Sequence, residues 1–147
     1  MASVAIGGTF DILHDGHKAL LKKAYALGDV VIGLVSDEMA QRKGRASNTY
    51  DMRKKTVIAY VKALTATNPV IVTLDDQYGP TLTQKFDYIV VSPDTFRTAQ
   101  QINTLRLQRG LQPVTIVCVD FVLAQDGQPI SSTRIHRGEI DEHGVLL

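Results

Sequence analysis

The sequence predicts an α/β fold, a doubly wound five-stranded parallel sheet, on three observations. Short apolar runs suited to strands alternate with segments whose apolar residues recur at helical spacing. The run 30–35 is continuously apolar, as a strand covered on both faces of a parallel sheet must be. No internal repeat, low-complexity stretch or linker-like composition interrupts the 147 residues, so one domain is expected over 1–147.

Residues 3–6 form the first strand, ending at Gly7 and Gly8, and a helix follows with Leu20, Leu21, Ala24 and Leu27 on one face until Gly28 stops it. Strand two is 30–35. Ser36 is placed to cap the next helix, whose first turn carries Asp37 and Glu38, where negative charge suits the helix dipole. Arg42, Lys43 and Arg45 gather at its end as a basic turn. A helix over 51–66 carries Val57, Ile58, Val61 and Leu64 at helical spacing, Asn68-Pro69 ends it, and 70–74 is strand three. After the loop at Tyr78-Gly79-Pro80, 88–91 is strand four. Ser92 is expected to cap a helix whose second residue is Pro93 and which ends near Gly110. Strand five is 115–119, Asp126-Gly127 is a turn, 131–137 is a short helix opened by a hydroxyl cap, and the last ten residues are expected to be loosely ordered. In a sheet of this kind ligands sit at the carboxyl ends of the strands.

Composition narrows the function. The apolar share of 44% and charged share of 21% are ordinary for a globular chain. A formal charge of +1 provides no global field to recruit nucleic acid or an anionic membrane, and the basic turn after strand two lacks interleaved aromatics. No apolar run approaches membrane-spanning length and no leader pattern opens the chain, so a cytosolic protein is expected. Cys118, the only cysteine, is read as a buried strand thiol.

The informative segment is Gly7-Gly8-Thr9-Phe10-Asp11-Ile12-Leu13-His14-Asp15-Gly16-His17, between strand one and the first helix. Glycines after a strand let a phosphate approach the backbone, and N–H groups at a helix start attract anions. His14 and His17 stand three residues apart at that start, so both imidazoles can point to one side and grip one phosphate; pKa values near neutrality would suit donation. A metal site from His14, His17 and Asp11 is the competing reading, and it lacks a fourth ligand. The second motif is Ile130-Ser131-Ser132-Thr133-Arg134-Ile135, with three hydroxyls and a guanidinium at a helix start. An ordinary cap needs only one hydroxyl; the set suits phosphate oxygens.

Together the motifs resemble the nucleotidyltransferase superfamily marked by histidine, any residue, glycine, histidine and by a serine-rich second signature. Tyr78-Gly79-Pro80, Val91-Ser92-Pro93-Asp94-Thr95, the helix with Asn103 and Arg106, and the ending 135–144 make essentially the whole chain similar to the archaeal-type phosphopantetheine adenylyltransferases. Asp94 departs from that pattern, which has glutamate after the proline, as does Val35, which stands before Ser36 where a polar residue is expected. The resemblance implies a Rossmann-like nucleotidyltransferase fold, ATP and 4′-phosphopantetheine as partners, and magnesium carried by the triphosphate rather than by a protein-only site. A cytidylyltransferase, a flavin mononucleotide adenylyltransferase and a nucleotide-binding regulator without turnover are the alternatives.

The resemblance also implies roles. His17 would hydrogen-bond the α-phosphate, with His14 orienting the triphosphate beside it. Gly8, the Thr9 hydroxyl and the Phe10 N–H would hold phosphates, Ser92 and Asp94 would line the nucleotide, and Ser131, Ser132, Thr133 and Arg134 would take the departing β and γ groups. Thr9 and Lys43 would draw in the acceptor phosphate, Lys43 being the catalytic lysine. Arg53 is a second candidate from its place at the start of the third helix, where a phosphate would meet a guanidinium and helix N–H groups.

Overall fold

The computed structural model describes residues 1–42, Gly44 and residues 48–147. Five strands, β1 (Ser3–Gly8), β2 (Asp29–Val35), β3 (Val70–Leu74), β4 (Tyr88–Val91) and β5 (Thr115–Cys118), form one sheet in the order β3-β2-β1-β4-β5. Every strand pair is parallel. The helices are α1 (Asp15–Leu27), α2 (Asp37–Arg42), α3 (Tyr50–Thr65), α4 (Phe96–Gln108) and α5 (Ser132–His136), and a 3₁₀ turn spans Gly79–Leu82.

Strand alternation sorts the core into two layers. Val4 and Ile6 of β1, with Ile32, Leu34 and Val90, face Leu21 and Ala24 of α1 and Val57 and Val61 of α3. Ala5, Ile89 and Val91 face the opposite way, onto Ala99 and Ile102 of α4. The winding reverses between β1 and β4, and the crevice beyond their carboxyl ends is where an open sheet of this type receives a ligand. At the other end of the sheet α1 turns sharply into β2. A Cβ on Gly28 would lie 2.2 Å from the Ala2 carbonyl oxygen, so the close approach of strand and helix end requires glycine.

Two arginines are built into this core. Arg53 is the i−4 and i−8 neighbour of Val57 and Val61 on the inward stripe of α3 and is fully buried. Its Nε–H donates to the Asn48 carbonyl (3.1 Å), its Nη1 to the carbonyls of Thr9 (2.9 Å) and Val35 (2.8 Å), and its Nη2 to Asp37 Oδ1 (3.2 Å). Arg106 shares the inward stripe of α4 with Ala99 and Ile102 and is 1% exposed. It donates to the carbonyls of Gln112 (2.7 Å), Thr81 (2.6 Å) and Gln84 (2.9 Å), joining α4 to the 3₁₀ turn and to the approach to β5. Asn103 closes the same corner, exchanging two hydrogen bonds with the backbone of Val114.

Several sequence expectations change. α4 begins at Phe96 with Thr95 as its N-cap, because Ser92-Pro93-Asp94-Thr95 forms a turn in which the Thr95 N–H donates to the Ser92 carbonyl (3.1 Å) and the Ser92 N–H to Thr95 Oγ1 (3.2 Å). The residue before a proline resists the helical region, which keeps Ser92 out of the helix. Cys118 is exposed, since it ends an edge strand. The last ten residues are ordered: Ile140 is fully buried against Ala124 and Ile130 and pairs with Leu146 in an antiparallel bridge. The Glu142 carbonyl also accepts from the Asp15 N–H at the start of α1 (3.0 Å). Ser36 caps α2 as expected, accepting from the Met39 N–H at 3.1 Å. Among the described residues no helix is long and apolar enough to cross a membrane.

Removing the Arg106 guanidinium leaves the buried Thr81 carbonyl without this donor, at a cost of about 1–3 kcal/mol, and frees the part-buried carbonyls of Gln84 and Gln112, which water can reach. Arg106→Ala is therefore expected to lower unfolding stability by at least about 1 kcal/mol in urea titration; no measurable loss would show that the Thr81 carbonyl finds another partner.

Candidate active site

The loop from Gly8 to His14 leaves the end of β1 under constraint. Phe10 adopts φ 49°, a left-handed conformation uncommon outside glycine and asparagine, and it persists because the surroundings over-determine it. Its side chain is 1% exposed within the core and its ring lies 5.2 Å from that of His17, while the preceding carbonyl, Thr9, is held by Arg53. The bend presents the loop backbone to the crevice and delivers His14 to the start of α1.

At that start the two histidines cap each other. His14 Nδ1 accepts from the Gly16 N–H (3.0 Å) and the His17 N–H (3.4 Å), and His17 Nδ1 accepts from the His14 N–H (3.2 Å), a capping box built from imidazoles. The rings stack with centroids 3.7 Å apart. Gly16 is obligatory, since a Cβ there would lie 2.8 Å from His14 Cε1. With each Nδ1 occupied as an acceptor, each neutral ring carries its proton on Nε2.

The charge state follows from the same packing. Burial lowers the His14 pKa from 6.5 to about 4, opposed by the Asp15 carboxylate. Burial also lowers His17 to about 3, reinforced by His14 and opposed by the Ile12 carbonyl and by Asp11. The expectation of pKa values near neutrality is thereby corrected: burial keeps both rings neutral at pH 7 in the ligand-free protein. Asp11, the third candidate metal ligand, turns elsewhere: Oδ1 accepts from the Asn48 N–H (3.0 Å) and Oδ2 pairs with His136 Nε2 (2.6 Å).

A cavity of about 330 Å³ opens over these residues. Thr9, Phe10, His14 and His17 form one side, Ser131, Ser132 and Thr133 a second, and Ser92 and Asp94 a third. The Ser92–Thr95 turn places its side chains there because it is a turn and not helix. Ser131 has a double role, since its Oγ also accepts from the Arg134 N–H (3.2 Å) as the cap of α5. The remaining wall, Val119 to Val122, comes from the chain just past β5 and includes Asp120, which the sequence reading missed. Its only signal in the sequence was position, immediately after a strand's carboxyl end.

Gly8 lines a second cavity of about 180 Å³ on the α4 side of the sheet, and Thr9 lines both. This second space is mostly apolar, walled by Val35, Met39, Leu74, Tyr78, Ala99 and Ile102 among others.

Two expected phosphate ligands are placed differently. Arg53, expected on the acceptor phosphate, is sealed in the core with its guanidinium on three carbonyls and Asp37, so it shapes the loop rather than meeting a ligand. Arg134, expected on the leaving phosphates, is turned away from the cavity into ion pairs with Asp126 and with Glu139 (3.3 Å) and a hydrogen bond to the Pro129 carbonyl (3.3 Å). Lys43 lies outside the described residues; its neighbour Arg42 donates to the Asp75 carbonyl at 3.1 Å.

Comparison with known proteins places this geometry. Residues 5–138 match the family model described as cytidylyltransferase-like. A phosphopantetheine adenylyltransferase of Methanosarcina mazei is 46% identical over 151 aligned positions, covering 99% of this chain and 97% of the relative. The phosphopantetheine adenylyltransferase of Archaeoglobus fulgidus is 46% identical over 98% of this chain and 99% of the relative. Among solved structures, an Archaeoglobus fulgidus protein described as of unknown function superposes with a TM-score of 0.78 at 42% identity, over 80% of this chain and 89% of that one. On the family match over residues 5–138 and on relatives of 46% identity over nearly the full length of both chains, the chain belongs to the cytidylyltransferase-like family and, within it, to the archaeal phosphopantetheine adenylyltransferases.

Proposed function

We propose that this chain transfers the adenylyl group of ATP to 4′-phosphopantetheine, giving dephospho-coenzyme A and pyrophosphate. The observation that carries the reading is the pair of cavities that meet at Thr9. One mixes apolar walls with hydroxyls and neutral imidazoles suited to a triphosphate. The other is a mostly apolar pocket of a size to take a slender pantetheine arm, with the junction where a phosphate-to-phosphate transfer would occur.

The chemistry is displacement at the α-phosphorus. An oxygen of the acceptor phosphate bonds to the α-phosphorus, the bond to the β-bridging oxygen breaks, and its electron pair leaves with pyrophosphate. Both nucleophile and leaving group are adequate without covalent catalysis, so positioning and charge stabilisation are the protein's tasks. His17 donates its Nε2–H to an α-phosphate oxygen, and His14 donates beside it to the triphosphate. Neutral donors suit this step because they add no positive charge that would hold pyrophosphate after transfer. Gly8, the Thr9 hydroxyl and the Phe10 N–H hold phosphates at the junction, and Ser131, Ser132 and Thr133 receive the β and γ groups. Ser92 and Asp94 line the nucleoside end, and Lys43, on the segment before Asn48, supplies the cation for the acceptor phosphate. Among the described residues no three His, Cys, Asp or Glu side chains gather to hold an ion. The hydroxyls of Ser131, Ser132 and Thr133 and the two imidazoles fit phosphate oxygens, and magnesium carried by the triphosphate would supply charge neutralisation.

Two measurements follow. Magnesium-dependent pyrophosphate release is expected with ATP and 4′-phosphopantetheine; turnover only with CTP, or only with flavin mononucleotide as acceptor, would keep the mechanism and reject this acceptor. Asn at position 17 keeps an acceptor where Nδ1 stands but has no Nε2, whereas Gln keeps the donor and loses the cap. His17→Asn is expected to fold normally and lose about 10²–10³-fold in kcat, like the removal of one preorganised donor. His17→Gln should retain more activity while losing roughly 1 kcal/mol of stability. His17→Asn turning over within about tenfold of the parent would remove His17 from the reaction.

A further inference from the structure

Asp120 lines the larger cavity and has no part in the phosphate chemistry described above. The stretch that carries it is fixed at both ends. The Val119 N–H donates to the Val91 carbonyl at 2.8 Å, which sets Asp120 beside the Ser92–Thr95 turn, and the Val122 carbonyl accepts from the Ile130 N–H at 3.0 Å, just before the hydroxyl cluster. Among the described residues no hydrogen bond or ion pair engages the Asp120 carboxylate, whereas Asp11, in the same cavity, is taken up by Asn48 and His136.

A carboxylate accepts hydrogen bonds, cannot donate them, and repels phosphate. In a cavity whose imidazoles and hydroxyls receive a triphosphate, Asp120 therefore meets an uncharged part of the nucleotide. Its surroundings narrow which part. Val119, Phe121 and Val122 flank it in the chain, and Leu20 and Ile130 line the same cavity, an apolar set suited to the faces of a base. Ser92 and Asp94, on the neighbouring turn, are left for the ribose hydroxyls. Adenine presents one exocyclic donor, its 6-amino group.

We propose that Asp120 is a specificity-determining residue whose carboxylate accepts a hydrogen bond from the exocyclic amine of the base, selecting an amino-bearing base over one with no donor at that position. The proposal deepens the adenylyl-transfer reading and rests on it for the identity of the nucleotide. A carboxylate in a site for a polyanion weakens the binding of every triphosphate, but only an amino-bearing base recovers a hydrogen bond from it, so its contribution is to the difference between nucleotides.

The test compares ATP with purine riboside triphosphate, which has the same ribose and triphosphate and lacks the amine. Both are measured by calorimetry with magnesium and no acceptor, so the ratio of affinities cancels any effect of Asp120 on the charge of the site. The parent is expected to bind ATP at least about tenfold more tightly, as for one hydrogen bond to a charged group. Asp120→Ala is expected to bring the ratio to within about twofold of unity, while Asp120→Asn, which keeps an acceptor oxygen, retains a preference for ATP of about threefold or more. Asp120 is exposed, so both variants should unfold at the parent's temperature. A ratio in Asp120→Ala within about twofold of the parent's, or a parent that binds the two nucleotides equally, would overturn the proposal. So would a change confined to the ratio of ATP to 2′-deoxyATP, which would put the carboxylate on the ribose. A parent whose preference for ATP depends on Asp120 but which does not adenylylate phosphopantetheine would count against the functional reading alone, and a parent that binds neither nucleotide would overturn both.

Discussion

The site depends on one reciprocal interaction: two imidazoles at the start of α1, each accepting a backbone N–H of the other's segment through Nδ1. That exchange does the work a serine and a glutamate do at other helix starts, satisfying N–H groups that the helix cannot. Using histidine adds a consequence no serine could have. Each cap fixes the ring orientation and the tautomer at once, so the proton of each neutral ring is left on Nε2. Burial and mutual stacking then hold both rings uncharged. Secondary structure, donor geometry and protonation state are thus set by the same three backbone hydrogen bonds.

A loop that carries such donors must be rigid, and the rigidity comes from beneath it. Arg53 gathers carbonyls from the ends of β1 and β2 and from the residue before the α3 cap, so the loop that leaves β1 is tied to two neighbouring segments by one buried guanidinium. This also explains how Phe10 can hold a left-handed backbone, whose cost of about 1–3 kcal/mol needs surrounding support. Arg106 does the equivalent on the opposite face, fastening α4 to the 3₁₀ turn beside the apolar cavity. Each cavity therefore has its own buried arginine behind one wall, and both arginines bond mainly to carbonyls, which ask for donors and gain little from a fully paired charge.

Most of the architecture was legible because the strands are continuous apolar runs and the helices keep a strict inward stripe. β3 and β4 match their expected limits, and Ser36 caps α2 as its position suggests. The histidine and hydroxyl motifs were legible as well, since glycine spacing and clustered hydroxyls have few other uses. Arg53 was misread for a reason the sequence does contain. It stands four residues before Val57 and eight before Val61, so it lies on a stripe already assigned to the core, and Arg106 stands likewise four residues after Ile102 on the inward face of α4. Periodicity outweighed the usual preference of arginine for water. The contacts of Asp11 with His136 and Asn48, like the ion pairs of Arg134, join residues through the fold and had no local signature. The ordered C-terminal segment was missed because its restraints, the burial of Ile140, the bridge to Leu146 and backbone bonds to Asp15 and Gln125, reach across the fold and leave no periodic pattern.

The claim that most of this depends on is the tautomer and charge of the two rings, and nitrogen-15 NMR of the histidine side chains reads both directly. In the ligand-free protein at pH 7, His14 and His17 should each show an unprotonated Nδ1 and a protonated Nε2, with midpoints below pH 5 on acidification. A proton on Nδ1 of either ring, or an imidazolium persisting at pH 7, would contradict the reciprocal cap and the neutral-donor mechanism built on it.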